Sequence, residues 1–380
     1  MTDRPVLNYS YKPMPFYDSL LRPFLFSLPP ETAHEFALES LRRGLKSEIV
    51  RKQFAEKLLL EPFGEIECFG LKFKNPVGVA AGFDKNGVAA NQLAALGFGF
   101  IEVGTTTFHP QPGNPKPRLF RLPADKALIN RAGFNNEGTA AVVERLKKKK
   151  PDCILGMNIG KSKIVPNEAA TEDYLKSFEL VHQVADYIVV NVSSPNTPNL
   201  RELQKADALE ELLSALKKRN IEFSEKKNRK EIPLLVKIAP DLSETEIESI
   251  TGIASDLKLA GIVATNTTTE RRNLKTASNE IEKIGNGGLS GLPLKKHSTG
   301  VIEKIHRFSG GKLPIIGVGG VFTAEDAFEK IAAGAILIQI YTGFVYQGFT
   351  IARDINRGLA KILTERGFGD YYEAVGANSK

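Results

Sequence analysis

From residue 76 onward the chain repeats one pattern: a short unbroken apolar run, a polar loop, then a stretch with helical spacing. The runs are Pro76–Ala81, Gly99–Gly104, Ile154–Ile159, Tyr187–Asn191, Leu234–Ile238, Gly261–Asn266, Pro314–Gly320 and Ala335–Tyr341. Continuous rather than alternating apolar runs mark strands covered on both faces, as in a parallel sheet with helices outside. Eight such units predict a (β/α)8 TIM barrel. A doubly wound open sheet is the rival, but no GxGxxG follows the first run.

The first 65 residues follow a different rhythm. Phe16, Leu20, Leu21, Phe24, Leu25 and Leu28 recur at near-helical spacing. The Pro29-Pro30 pair ends that helix and starts another, in which Ala33, Ala37 and Leu41 share a face and Gly44 is a stop. Two short amphipathic helices can pack on a larger domain. They can also lie in a membrane surface, with Arg22, Arg42, Arg43 and Lys46 toward headgroups. The expected division is therefore a helical extension, 1–65, and a barrel, 66–380.

A barrel keeps its chemistry at the C-terminal ends of its strands. Those ends carry, in order, "AGFDK" to Lys85, Thr105, Asn158, "NVSSPNT" (Asn191–Thr197), Lys237, Thr265–Thr268, Gly319-Gly320 and Tyr341-Thr342. Any one could be a cap or a turn. All eight together point to a site. The last glycines, the Tyr-Thr pair and "NGGLSG" (Asn286–Gly291) suit a phosphate. Thr105, Asn158, Asn191 and Thr265 suit a flat heterocycle rich in donors and acceptors. Lys237 beneath it would stabilise negative charge, as in a reduced flavin. The same lysine could instead form a Schiff base in a phosphosugar aldolase or isomerase. A non-enzymatic membrane-surface adaptor built on a barrel is a third reading.

Charge and composition narrow the classes. Net charge is +7, yet no aromatic residues interleave the basic clusters Leu146–Lys150 and Glu225–Lys230, so nucleic acid is not an expected partner. Two cysteines and five scattered histidines give no metal spacing and no disulfide framework. No apolar run is long enough to span a membrane, and the N-terminus lacks a signal-peptide pattern.

The segments "NPVGVAAGFDKNG", "VGTTT…PQPGNPKPRLFRL", "INRAGFNN", "NVSSPNTPNLR", "VKIAPDL", "ATNTT", "GGLSG" and "GVGG" together resemble the dihydroorotate dehydrogenases. The likeness runs through nearly the whole chain. "PPETAHEFALESLRRG" is similar to the helical extension of the quinone-linked, membrane-associated class 2 branch. Phe108-His109 is a local departure from the family pattern.

The resemblance implies an FMN-dependent oxidation of dihydroorotate to orotate in pyrimidine biosynthesis, with ubiquinone or menaquinone as acceptor. It implies one FMN per subunit, a monomer, no metal, and a peripheral place on the cytoplasmic face of the cell membrane. Carried over by motif, the FMN residues would be Ala81, Gly82, Phe83, Asp84, Lys85, Thr105, Asn158, Asn191, Lys237, Thr265, Gly291, Gly320, Tyr341 and Thr342. The pyrimidine residues would be Lys85, Asn130, Arg131, Ala132, Gly133, Phe134, Asn191, Asn196, Asn266 and Thr267. Ser194 would be the base that removes the C5 proton, with Thr197 or Thr267 as a relay. Class 1 relatives use a cysteine there. Here Cys153 precedes the third strand, at the wrong end of a barrel, and Cys68 precedes the first.

Overall fold

The computed structural model describes residues 16–379. Residues 1–15 of the expected extension, and Lys380, lie outside the described residues. Eight parallel strands close into a barrel: β1 (Val77–Val79), β2 (Phe100–Thr106), β3 (Ile154–Ile159), β4 (Tyr187–Asn191), β5 (Leu234–Ile238), β6 (Gly261–Ala264), β7 (Ile315–Val318) and β8 (Leu337–Ile340). Strand order follows chain order, and β8 pairs with β1 through Ile338–Val77 and Ile340–Val79. Each strand coincides with one of the apolar runs. Nearly every strand residue is buried because helices cover the outer face and side chains fill the inner one. Sharp helix starts reinforce the alternation: Ser243 and Thr323 cap the helices Glu244–Asp256 and Ala324–Ala332 in reciprocal capping boxes with Glu246 and Asp326.

The N-terminal end of the barrel is closed. A hairpin, Ile66–Cys68 with Leu71–Phe73, lies across it. Its Phe73 ring meets Phe100 edge-on at 5.4 Å, and Phe69 contacts Tyr187 at 6.4 Å. Inside, Gly156 leaves room for Tyr187: a Cβ there would stand 2.1 Å from the tyrosine Cζ. The Phe73, Phe100 and Tyr187 rings are fully buried, so removing Phe73 would cost about 3–5 kcal/mol of stability.

Over the open end sits an element that the apolar pattern did not announce. Leu119–Leu122, Ala127–Asn130 and Gly288–Gly291 form an antiparallel sheet with its own small core of Leu122, Ala127, Ile129 and Leu289. The extension rests against this sheet. The chain makes a π-helical turn at Tyr17–Leu21, then α1 (Arg22–Ser27), α2 (Pro30–Gly44) and α3 (Glu48–Leu58). The break falls at Pro29-Pro30 as the sequence implies. The third helix was not foreseen.

Side-chain ties hold the extension, among them four near its start and along its second helix. Tyr17 Oη donates to the Val345 carbonyl at 2.7 Å, and Arg22 reaches the Tyr346 carbonyl at 3.2 Å. Arg118 pairs with Glu31 at 2.8 Å, and Arg121 donates to the Phe26 carbonyl at 2.8 Å while covering its ring. Arg22 also pairs with Asp18 of its own turn at 2.8 Å.

Candidate active site

The strand ends, the antiparallel sheet and α2 enclose a cavity of about 440 Å³ at the C-terminal mouth of the barrel. Of the residues anticipated from the sequence, Ala81–Lys85, Thr105, Asn130, Ala132–Phe134, Asn191, Ser194, Asn196, Lys237, Thr265–Thr267, Gly291, Gly320, Tyr341 and Thr342 all line it. Two do not. Arg131 turns outward, donating to the carbonyls of Ile284 and Asn286 and covering the Phe120 ring at 4.5 Å. Asn158 lies one layer deeper, buried under Thr105 and Asn191.

The floor is a hydrogen-bonded set of amides and hydroxyls. Thr105 Oγ1 donates to Asn158 Oδ1 at 2.6 Å, and Asn191 Nδ2 donates to Thr105 Oγ1 at 2.8 Å. Asn158 Nδ2 donates to Glu102 Oε1 at 2.8 Å. Tyr187 and Gln339 donate to the other oxygen of that carboxylate, at 3.2 Å and 2.5 Å. Gln339 Oε1 is buried and finds no partner among the described residues.

Lys237 is buried at this floor, with no hydrogen bond or ion pair to any described residue. Burial pulls its pKa below the usual lysine range, and the charge of Glu102 opposes that pull. The Gly319–Gly320 loop packs tightly on the start of the helix Lys295–Phe308. Gly320 has φ +71°, and a Cβ there would lie 2.6 Å from the Lys295 Cα, so only glycine fits. Beside it, Ser290 and Thr342 hydroxyls are 2.8 Å apart.

The side wall carries the loop from β4. Ser194 is buried, and its Oγ accepts from the Asn196 backbone N–H at 3.2 Å. Asn196 Nδ2 donates to Asn130 Oδ1 at 3.2 Å, tying this loop to the antiparallel sheet. Asn266 Nδ2 donates to Ser193 Oγ at 2.9 Å, tying it to the loop after β6. Thr197 Oγ1 is buried and without a hydrogen-bond partner among the described residues. Arg201 braces the arrangement, donating to the Ser193 and Thr267 carbonyls and pairing with Asp241 at 2.9 Å.

Toward α2 the cavity turns aromatic and cationic. Phe83 stacks on Phe344 at 4.6 Å and meets His34 edge-on at 5.0 Å. Burial, helped by the Lys85 charge, pushes His34 down to about 4, so it is neutral at physiological pH. Burial and the Arg118 charge bring Lys85 down to about 8.

Neither thiol reaches the cavity. Cys153 precedes β3 and Cys68 lies in the hairpin; burial raises both thiol pKa values, that of Cys153 to about 12.

The sequence model described as Dihydroorotate dehydrogenase matches residues 64–363, most of the chain. The chain belongs to the dihydroorotate dehydrogenase family. A Christiangramia forsetii protein named dihydroorotate dehydrogenase (quinone) is 52% identical over 343 residues, covering 90% of this chain and 98% of that protein. A Mycobacterium tuberculosis protein of the same name is 46% identical over 360 residues, covering 94% and 97%. A crystal structure of the Eimeria tenella dihydroorotate dehydrogenase in complex with ferulenol is 36% identical, with a TM-score of 0.83 over 94% of this chain and 99% of that one.

The cavity and the layer beneath it include residues that sequence reading passed over. Glu102 and Gln339 stand inside apolar strands, the same signal that drew attention to Lys237. His34, Glu31 and Arg118 come from segments far apart in sequence and carry no local signal.

Proposed function

We propose that this chain oxidises dihydroorotate to orotate and passes the electrons to a quinone. The observation that carries this reading is a buried serine, Ser194, ringed by the amides of Asn130, Asn191, Asn196 and Asn266 in the same cavity as an unpaired buried lysine.

The residues present fit FMN. Lys237 lacks an anionic contact partner that the cofactor would supply. Thr105, Asn191 and Thr265 offer hydrogen bonds to a heterocycle, with Asn158 behind them. Gly291, Gly320, Tyr341 and Thr342 form a close-packed, glycine-rich rim suited to a phosphate, and Ala81–Lys85 close the remaining side. When bound, FMN supplies a hydride acceptor.

The rest of the chemistry falls to side chains. The amide groups of Asn130, Asn191, Asn196 and Asn266 match a ring that carries N–H donors and C=O acceptors. The Lys85 ammonium suits the substrate carboxylate. The Ser194 hydroxyl takes the proton from C5 of dihydroorotate. A serine is a weak base, so position and a relay must compensate. Thr197, buried with an unspent hydroxyl, is the freer of the two relay candidates, since Thr267 Oγ1 already contacts Asn266 at 3.4 Å.

The extension serves the second half-reaction. Among the described residues, Phe16, Leu20, Phe24 and Phe36 are each about half exposed and all lie in it. No helix of the described residues is long and apolar enough to cross a membrane. Segment 1–65 is therefore read as a surface anchor, dipping its apolar face into the cytoplasmic leaflet and admitting ubiquinone or menaquinone past His34 and Phe83. One FMN per monomer suffices for this scheme.

The test is direct. The purified protein should be yellow, and dihydroorotate under anaerobic conditions should bleach it. A colourless protein trapped by borohydride with a phosphosugar would sink the proposal in favour of Schiff-base chemistry.

A further inference from the structure

Glu102 takes no part in the chemistry above, yet it is fully buried at the centre of the barrel. An isolated buried carboxylate is costly unless its lone pairs are used. Here they are: Asn158, Tyr187 and Gln339 all donate to it.

A carboxylate only accepts hydrogen bonds. That single fact orients what lies above it. Asn158 must turn its NH₂ down to Glu102, so its Oδ1 faces up. That oxygen then accepts from Thr105 Oγ1 at 2.6 Å and from Asn191 Nδ2 at 3.3 Å. Asn191 is thereby turned with its NH₂ toward Asn158 and its Oδ1 toward the β4 loop. Its Oδ1 accepts from Ser193 N–H at 3.2 Å, Ser193 Oγ at 3.0 Å and Asn266 Nδ2 at 3.4 Å. Asn266 Oδ1, finally, accepts from the Thr267 N–H at 2.8 Å. Every amide in the series points the same way: the carboxylate fixes Asn158 at the base, and the Ser193 and Thr267 backbone N–H groups, which cannot reverse either, hold Asn191 and Asn266.

We infer that Glu102 is a positioning residue: its acceptor-only carboxylate holds the Asn158 amide with Oδ1 up, as the acceptor for Thr105 and Asn191, and so helps fix the groups they present to cofactor and substrate. An amide whose oxygen and nitrogen can exchange offers a ligand the wrong group half the time. Fixing it in advance is preorganisation, and buried networks with every member satisfied hold one arrangement. The same carboxylate is the counter-charge that faces Lys237 from β2. Tyr187 on β4 is the remaining titratable group at this depth, while Lys85, His34, Arg118 and Glu31 stand at the mouth.

The inference rests on the proposed orotate and FMN sites, and its test separates the two levels. Asn158→Asp puts a second carboxylate against Glu102 and removes the downward donor. Adding Glu102→Gln restores a donor between the two positions. The glutamine NH₂ then donates upward, and the carboxylate introduced at position 158 still accepts from Thr105 and Asn191. Glu102→Gln alone keeps the direction, because the glutamine oxygen can face Asn158 and Gln339 can turn its unpartnered Oε1 to the new NH₂.

Two quantities are read on the holoenzymes: flavin retained through gel filtration, and the orotate dissociation constant from the flavin difference spectrum. Asn158→Asp should weaken both by about tenfold or more, Glu102→Gln by less than about threefold, and the double variant should recover to near the Glu102→Gln level. Recovery supports the inference. A double variant as poor as Asn158→Asp, or an Asn158→Asp protein that behaves as the unmodified one, overturns it. If the unmodified flavoprotein ignores orotate, the substrate assignment falls, and flavin retention across the three variants still decides the role of Glu102.

Discussion

The floor and the mouth of the cavity are built on opposite terms. At the floor Glu102, Asn158, Thr105, Asn191 and Lys237 are nearly inaccessible, and each of the first four has several partners. At the mouth α1 and α2 leave large apolar side chains half exposed and are held by a few ties, among them Arg118–Glu31 and Tyr17–Val345. A preorganised floor suits chemistry, which needs groups fixed before the ligand arrives. A lightly tethered apolar mouth suits traffic with a greasy partner. Breaking the floor should therefore change the reaction with dihydroorotate, and breaking the mouth should change the reaction with quinone.

The largest expected effect is at the floor's edge. Ser194→Ala should keep FMN but slow anaerobic flavin reduction by dihydroorotate by roughly 10²-fold or more, the scale for losing a general base. Stopped-flow traces at near-normal speed would remove Ser194 from the role. Lys237→Ala comes next. It removes the buried cation at the floor of the cofactor site, so FMN should bind about tenfold or more weaker and its midpoint potential should fall. Full flavin content with an unchanged potential would mean the lysine serves another partner.

At the mouth, Leu20→Ser with Phe24→Ser touches only exposed groups, so thermal unfolding should barely move. Turnover with a long-chain quinone and binding to anionic liposomes should drop several-fold, while flavin reduction by dihydroorotate stays within about twofold. Equal losses in both half-reactions would erase the contrast between the two regions. The smallest effect is a titration. Lys85 has its pKa brought down to about 8, so its ammonium is present below that pH and lost above it. Orotate affinity should therefore hold through neutrality and decline a few-fold as pH rises past about 8, less steeply if the bound carboxylate itself raises the lysine's pKa. A flat profile to about pH 9.5 would exclude Lys85 from carboxylate binding.

Most of the barrel was legible because a strand buried on both faces leaves a run of apolar letters, and a loop bearing catalytic groups leaves polar letters right after it. Ser194 and Asn191 were placed at the cavity that way, and Lys237 as a charge inside an apolar run. Other parts left no such trace. Leu119–Leu122 and Ala127–Asn130 pair antiparallel over the mouth, with Pro123 and Asp125 between them, and show no long unbroken apolar run. Arg131 shares a motif with its neighbours yet points outward, because a side chain on a turn can face either way. Asn158 sits under the site rather than in it, since alternate residues of a strand differ in depth as well as direction. Glu102 was visible as a charge inside an apolar run, but its use depends on Gln339 and Tyr187, which only barrel closure brings to it.

The hairpin under the barrel makes the molecule a cup instead of a tube. With Phe73, Phe100 and Tyr187 packed into the base, water has no draught through the interior, and everything consumed or produced must cross one rim. Both partners of the proposed reaction are then served from the open end. The base takes no part in that traffic. Alterations there register as tolerance to heat, whereas alterations along the rim register as speed.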